Sequence, residues 1–466
     1  MAARRFRVDP VGVACSLLLV AVPLLLTARA SGPLSGPDSF WHLALGRHLL
    51  ATWDFGPIDP LSPLTTRPWV YNQWLPEVAA ALAAAVGGLP AVAWLAAASR
   101  LALLAAVWAG CRRRASTLPA LLAAIVGIIG TFGGWDARPQ LVGLCLFAVV
   151  TGAALATVDD GRPRWWVVPL TWVWACTHGT WILGIAMTAL VACAGLLDRR
   201  DDPLRRHLTR LAVPLCSALA AALTPVGPRL YTTLGAVNEV SDFIVEWQGA
   251  SLRVPPMAVT MAGIGVVVVA WARGWAPRPA WGRVALLAFA AATALMSART
   301  IAIGAVLLAP LLAEALQSIV PRRIGRRRVE AGWLGLGIVA ALAYAAWTLP
   351  VLARDPADAP IGLSAVLAQE APGAIFNDQV VGGWLYWTHP QLTPVFDTRS
   401  EVYGREAAQA YLSVCAAEPG WGAGFDRTGA RLALLRSDSP LAAALQAERG
   451  WTVVGGDAGY VLLAPG

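Results

Sequence analysis

RRFRVDPVGVACSLLLVAVPLLLTARASGPLSGPDSFWH, residues 4–42, joins three arginines, an apolar run and an acid just beyond it. The run from Val11 to about Ala28 is long enough to cross a bilayer. No small-residue cleavage site follows before Pro37, which predicts an uncleaved signal anchor. Basic residues flanking the start of such a run hold that end on the cytoplasmic side. Asp38 then emerges on the other side at membrane level, followed by Trp41 and His42.

The pattern repeats along the chain. Apolar runs at 11–30, 89–111, 117–134, 139–157, 165–177, 180–197, 208–224, 256–272, 284–298, 301–317 and 331–350 predict about eleven transmembrane helices. Segment 75–87 is apolar too, but two full crossings do not fit between Trp74 and Arg112, so it is placed as a helix lying in the interface. Composition agrees. Of 466 residues, 57% are hydrophobic and only 14% charged, too few to cover a soluble surface of this size.

The chain has no lysine, so all 36 basic residues are arginine, clustered between the apolar runs. With the N-terminus inside, the cytoplasmic stretches before Pro350 carry 21 arginines and the outer ones seven. That bias predicts a cytoplasmic N-terminus and, after an odd number of crossings, an extracytoplasmic C-terminus. It also argues against nucleic-acid binding, which gathers basic residues on one face of a soluble domain. The cysteines form no CxxC pair or disulfide framework, and the histidines show no metal-ligand spacing.

After Pro350 the composition shifts. Short apolar runs at 374–376, 393–396, 431–435, 452–454 and 460–463 read as strands, and 361–370, 404–415 and 439–448 as helices. The chain therefore divides into a membrane module, 1–350, whose first outer loop spans 31–88, and a small α/β domain, 351–466, reached through a linker near 354–360. No GxGxxG or Walker loop is present.

Polar groups crowd the outer face. Loop one holds Asp38, His42, Trp69, Asn72, Trp74 and Glu77, aromatic rings beside amides and acids of the kind that bind sugars. An amphipathic interfacial helix anchored by tryptophan, with Asp38 capping the helix that follows, is the bland alternative. Asp136, Arg138 and Gln140 link spans three and four, His178 links five and six, Glu246 lies in the second large loop, and Arg299 links nine and ten. Ionisable groups at membrane depth are costly and usually functional. In the C-terminal domain, Asn377, Asp378, Asp397 and Arg399 follow predicted strand ends, where α/β sites form.

The stretches Asp38-Ser-Phe-Trp-His42, Arg138-Pro-Gln140, His178-Gly179, Phe376-Asn-Asp-Gln-Val-Val-Gly-Gly-Trp384 and Phe396-Asp-Thr-Arg399 resemble a bacterial branch of the GT-C superfamily of polytopic glycosyltransferases. That superfamily includes protein mannosyltransferase-like and aminoarabinose transferase-like enzymes. The resemblance implies an all-α membrane bundle with an extracytoplasmic α/β domain in a bacterial plasma membrane. It implies transfer of a sugar from a polyprenyl-phosphate donor to a glycan, lipid or protein acceptor, with Asp38 as general base, Arg138 and Arg299 on the donor phosphate and His178 on phosphate or sugar. No cofactor is required by the pattern. A divalent metal is poorly supported, because many members pair two acids in loop one and Asp38 has no acidic neighbour. A transporter or flippase would place polar groups near the midplane in paired halves. A glycan polymerase or ligase, or a noncatalytic relative, would share this topology.

Overall fold

The computed structural model describes residues 10–62, 65, 67–233, 235, 239–240, 249, 251–321, 327–357 and 359–466. Glu246 lies outside the described residues. The membrane module is helical throughout: α1 (Pro10–Ala30), α2 (Asp38–Thr52), α3 (Trp74–Arg114), α4 (Thr117–Ile129), α5 (Gln140–Asp160), α6 (Val167–Ala175), α7 (Trp181–Asp198), α8 (Leu204–Ala221), α9 (Pro255–Ala272), α10 (Trp281–Met296), α11 (Ile301–Ile319) and α12 (Arg327–Leu352). The chain is a multi-pass membrane protein.

Among the described residues, seven helices are long and apolar enough to cross a membrane: α1, α3, α5, α7, α9, α11 and α12. The other four expected spans also fold as helices, but α4, α6 and α10 are short and α8 carries Arg205, Arg206 and Arg210 in its first turns. At 1.5 Å per residue, the nine residues of α6 reach only about 14 Å. Helix α11 is apolar on every side and is buried along nearly its whole length, packed by α3, α4, α5, α9 and α10. It is the axis of the bundle, and α1 packs on α12 at the margin.

Helix α3 breaks at Gly87 and Gly88, where Gly88 takes φ +63°. A left-handed residue interrupts the helical hydrogen bonds and suits only glycine. The break separates a first part, starting at Trp74, from the helix that ends at Arg112–Arg114, where the sequence reading divides 75–87 from 89–111. At that end the arginine clusters are joined by ion pairs, Arg112 to Glu330, Arg114 to Asp159 and Arg283 to Asp159 and Glu314.

The C-terminal domain is a five-stranded sheet in the order β2-β1-β3-β5-β4. β1 (Gly373–Asn377) pairs in parallel with β2 (Leu392–Pro394) and β3 (Leu432–Arg436), while β5 (Tyr460–Pro465) runs antiparallel to β3 and to β4 (Trp451–Asp457). The expected helices at 404–415 and 439–448 are α14 (Ser400–Cys415) and α16 (Pro440–Arg449), and α15 (Trp421–Arg427) was not expected. Nor was α13 (Gln379–Thr388), which carries the Gly382-Gly383 pair.

Gly383 seats the domain on loop one, and Gly382 lets α13 pack on its own domain. A Cβ at Gly383 would lie 2.7 Å from the Pro37 carbonyl oxygen, and one at Gly382 would lie 2.6 Å from the Phe396 carbonyl oxygen. Helix α13 therefore packs directly on α2. Arg47 of α2 answers with hydrogen bonds to the carbonyls of Tyr386 and Trp387. The connection near 354–360 is likewise packed: Ala353 and Ala359 are buried, and Ala357 N–H donates to Leu34 C=O.

Candidate functional site

Asp38 sits in the first turn of α2, but its carboxylate makes no cap to that helix. It turns outward instead. Oδ1 accepts from the Thr398 hydroxyl at 2.5 Å, and Oδ2 pairs with Arg138 Nη1 at 3.0 Å. Arg138 Nη2 pairs in turn with Asp136 at 3.0 Å. Trp41 Nε1 donates to Thr398 Oγ1, closing the chain. Three segments far apart in sequence, loop one, the 135–139 turn and the C-terminal domain, thus meet on one half-buried carboxylate.

One turn along α2, His42 Nδ1 lies 2.8 Å from Glu77 Oε1, and both side chains are buried. The close fit of α2 on α3 follows from Gly46, where any Cβ would collide with the Glu77 carbonyl. Burial pushes the His42 pKa down, more strongly than the Glu77 hydrogen bond raises it; Arg138 and His178 also lower it from nearby. The second Glu77 oxygen, Oε2, is buried without a hydrogen-bond partner. An orphaned buried acceptor is uncommon and marks a place where a ligand hydroxyl can donate.

His178 is held in the turn between α6 and α7 by Thr180, whose N–H and hydroxyl both meet Nδ1. Burial, then the charge of Arg299, pushes it down to about 3. The Arg299 turn packs on the 132–134 turn that leads to Asp136. Asp38, Asp136, Arg138, His42, Glu77, His178 and Arg299 therefore form one neighbourhood, and Gln140 is buried at the start of α5 beside it. His178 makes a stability prediction. The unfolded chain takes up its proton near pH 6.5 and the folded chain only near 3. Stability is then lost as pH falls below about 6.5, by up to ~1.4 kcal/mol per pH unit. His178→Gln should flatten the slope of thermal stability between pH 6.5 and 5, and an unchanged slope would contradict a buried neutral imidazole.

The aromatic residues of loop one are placed otherwise than as an open sugar platform. Trp69 and Trp74 are buried, Trp74 edge-on to Trp53 and Phe55 and Trp69 edge-on to Trp41 and Tyr71. Indole area is removed from water when a core can take it; Arg399 of the C-terminal domain lies over the Trp69 ring, and Trp74 packs among the rings of its own loop. Asn72 is half-buried in the same loop.

The C-terminal candidates divide. Asn377 pins the 395–396 segment, giving its amide to Phe396 C=O and accepting from Val395 N–H, and Asp378 caps α13 through Val380 N–H. Asp397 and Arg399 build the latch to loop one. The Arg399 guanidinium is fully buried between Asp397 Oδ2 at 2.7 Å and Asp59 Oδ1 at 2.9 Å, with Tyr403 donating to Asp397 and the rings of Trp69 and Trp41 alongside. Burial opposes the Arg399 charge, but Asp397 and Asp59 outweigh it and hold the guanidinium protonated.

Three participants were not singled out from sequence. Thr398 lies inside the quoted Phe396–Arg399 stretch but has no charge to draw notice. Glu401 opens α14, and burial pushes its carboxyl up, with the Asp38 charge adding to the effect. Arg100 interrupts the apolar run of α3, a signal visible in the sequence. Among the described residues, no group of three or more His, Cys, Asp or Glu side chains is placed to hold a metal ion.

No family model matches the chain, and no curated protein matches it. Solved structures do. The archaeal oligosaccharyltransferase AglB from Archaeoglobus fulgidus, in complex with an inhibitory peptide and a dolichol-phosphate, superposes at TM-score 0.59 and 11% identity over 92% of this chain and 70% of its own. ArnT from Cupriavidus metallidurans bound to undecaprenyl phosphate superposes at TM-score 0.56 and 14% identity over 97% of both chains. Its apo form gives 0.57 at 16% identity, covering 97% of this chain and 98% of that one. The chain shares the fold of these two membrane proteins.

Proposed function

We propose that the protein is a membrane glycosyltransferase that moves a sugar from a polyprenyl-phosphate donor to an extracytoplasmic acceptor. The observation that carries the reading is the Asp136–Arg138–Asp38–Thr398 chain, which places a half-buried carboxylate and an arginine side by side at one end of the bundle. In the reaction the acceptor hydroxyl oxygen attacks the anomeric carbon, and the bond from that carbon to the phosphate oxygen breaks. Asp38 takes the hydroxyl proton, and the phosphate leaves with the bonding electrons. A carboxylate has about four acceptor sites, so Asp38 retains room for the acceptor beside Thr398 and Arg138. Arg138, and Arg299 near His178, are suited to the charge gathering on the leaving phosphate.

The structures with this fold include one in complex with dolichol-phosphate and one bound to undecaprenyl phosphate, which supports a lipid-linked donor here. A second reading rests on Glu77, whose unpartnered oxygen and His42 contact make it the alternative base. The test is transfer from a panel of polyprenyl-phosphate sugars by the wild type, Asp38→Asn and Glu77→Gln; whichever change abolishes turnover identifies the base.

The reading needs this end of the bundle on the outer face of a bacterial plasma membrane. The arginine bias of 21 to seven supports that orientation. Ser437 is exposed on the C-terminal domain. A single cysteine there, in a cysteine-free background, should react with an impermeant maleimide in intact cells. Labelling only after lysis would reverse the topology and with it the site's access to its substrates.

A further inference from the structure

Arg100 is a cation set within the long apolar helix α3; its direct partners are backbone carbonyls, and the Asp136 carboxylate acts on it only from farther off. Nε and Nη2 donate to Trp135 C=O and Nη1 to Ala30 C=O. These are dipoles, and among the described residues no carboxylate pairs with it at ion-pair distance. An arginine at membrane depth is costly unless an anion meets it.

Immediately inward lies a groove of about 320 Å³ between α1, α3 and α4, with no polar lining. Leu26 and Leu104 in its wall are one helical turn from Ala30 and Arg100. Phe132 closes its outer end, stacked edge-on against Trp135 at 4.7 Å. Leu25 and Phe132 are exposed along its open side, so the groove faces the surroundings laterally, toward lipid. Outward of Arg100 is a small polar crevice lined by Ser31, Gly32, Ser35 and Ala137. Trp135, which accepts from Arg100, directly precedes Asp136 of the catalytic neighbourhood.

An apolar slot, a cation at its mouth and a polar crevice beyond match a lipid with a single anionic head. We infer that Arg100 holds the phosphate of the polyprenyl-phosphate donor and product, with the first isoprenyl units in the α1–α4 groove. This deepens the proposed function and rests on it. It adds Arg100 to Arg138 as a cation on the lipid's phosphate, and it sets the side from which the lipid enters.

The test measures binding of undecaprenyl phosphate, undecaprenol and phosphatidylglycerol to the purified full chain by native mass spectrometry in detergent. Arg100→Gln should weaken undecaprenyl phosphate at least tenfold and leave undecaprenol unchanged. Ala124→Phe, which fills the groove floor, should weaken both. Arg138→Ala reports on the other arginine. Undecaprenyl phosphate bound by Arg100→Gln as by wild type, and weakened only by Arg138→Ala, overturns the Arg100 assignment while leaving the proposed function standing. Undecaprenyl phosphate that the wild type itself does not bind overturns both. Phosphatidylglycerol that competes equally makes the groove a general phospholipid site and overturns the donor assignment. If Arg100→Gln does not fold, unchanged binding of both polyprenyl lipids by Ala124→Phe overturns the groove.

Discussion

Arg399→Met is expected to destabilise the protein by about 3–5 kcal/mol, the cost of breaking a buried ion pair from one side. The residue is fully buried between Asp59 and Asp397. Methionine fills much of the volume but leaves two carboxylates in a closed aromatic setting with no counter-charge. The loss should fall on the seam between loop one and the C-terminal domain. In detergent the variant should melt earlier, and limited proteolysis should release a fragment near 351–466 that the wild type retains. Replacing all three groups together, with Asp59→Asn and Asp397→Asn added, should recover part of the loss, because the uncompensated charges are gone. A single variant that melts with the wild type would mean the seam is held by Gly383, Arg47 and the aromatic cluster alone.

Asp38→Asn carries the second large effect. Asparagine keeps the size and accepts from Thr398, but it has neither the charge that pairs with Arg138 nor the basicity to take a proton. General-base catalysis is worth about 10²–10⁴-fold, and a fall in kcat of that size is expected. The fold should hold, since Asp38 is half-buried and the latch at Arg399 is untouched. Thr398→Val is a useful partner measurement. It removes only the hydroxyl, so a smaller loss in kcat would report how far the C-terminal domain positions the base.

Much of the fold was legible in the sequence because a bilayer leaves few options. Apolar runs of bilayer length must be helices, and arginine counts order them. The break at Gly87-Gly88 follows the expected end of the interfacial segment, and the strands of the small domain fall close to the short apolar runs. What sequence could not show is pairwise. That Asp38 would meet Thr398, 360 positions away, depends on α13 packing on α2 through Gly383, a contact that a run of sequence does not reveal. The aromatic residues of loop one read as an open sugar surface because the sequence does not reveal what covers them. Arg399 was picked out as a candidate of the C-terminal domain, yet its partner Asp59 lies in loop one, which only the folded chain could join. The spans at 165–177 and 284–298 are already short as apolar runs, and they fold as the short helices α6 and α10.

The central claim is transfer of a sugar from a polyprenyl-phosphate donor at the Asp38–Arg138 pair. The direct measurement is release of free polyprenyl phosphate, followed by mass spectrometry, when the purified protein in proteoliposomes is given a panel of polyprenyl-phosphate sugars and extracytoplasmic acceptors. The account predicts release by the wild type with at least one donor, and release reduced at least a hundredfold, in line with the lower bound for a lost general base, by Asp38→Asn. Release at the wild-type rate by Asp38→Asn, or release by neither protein from any donor in the panel, would contradict it.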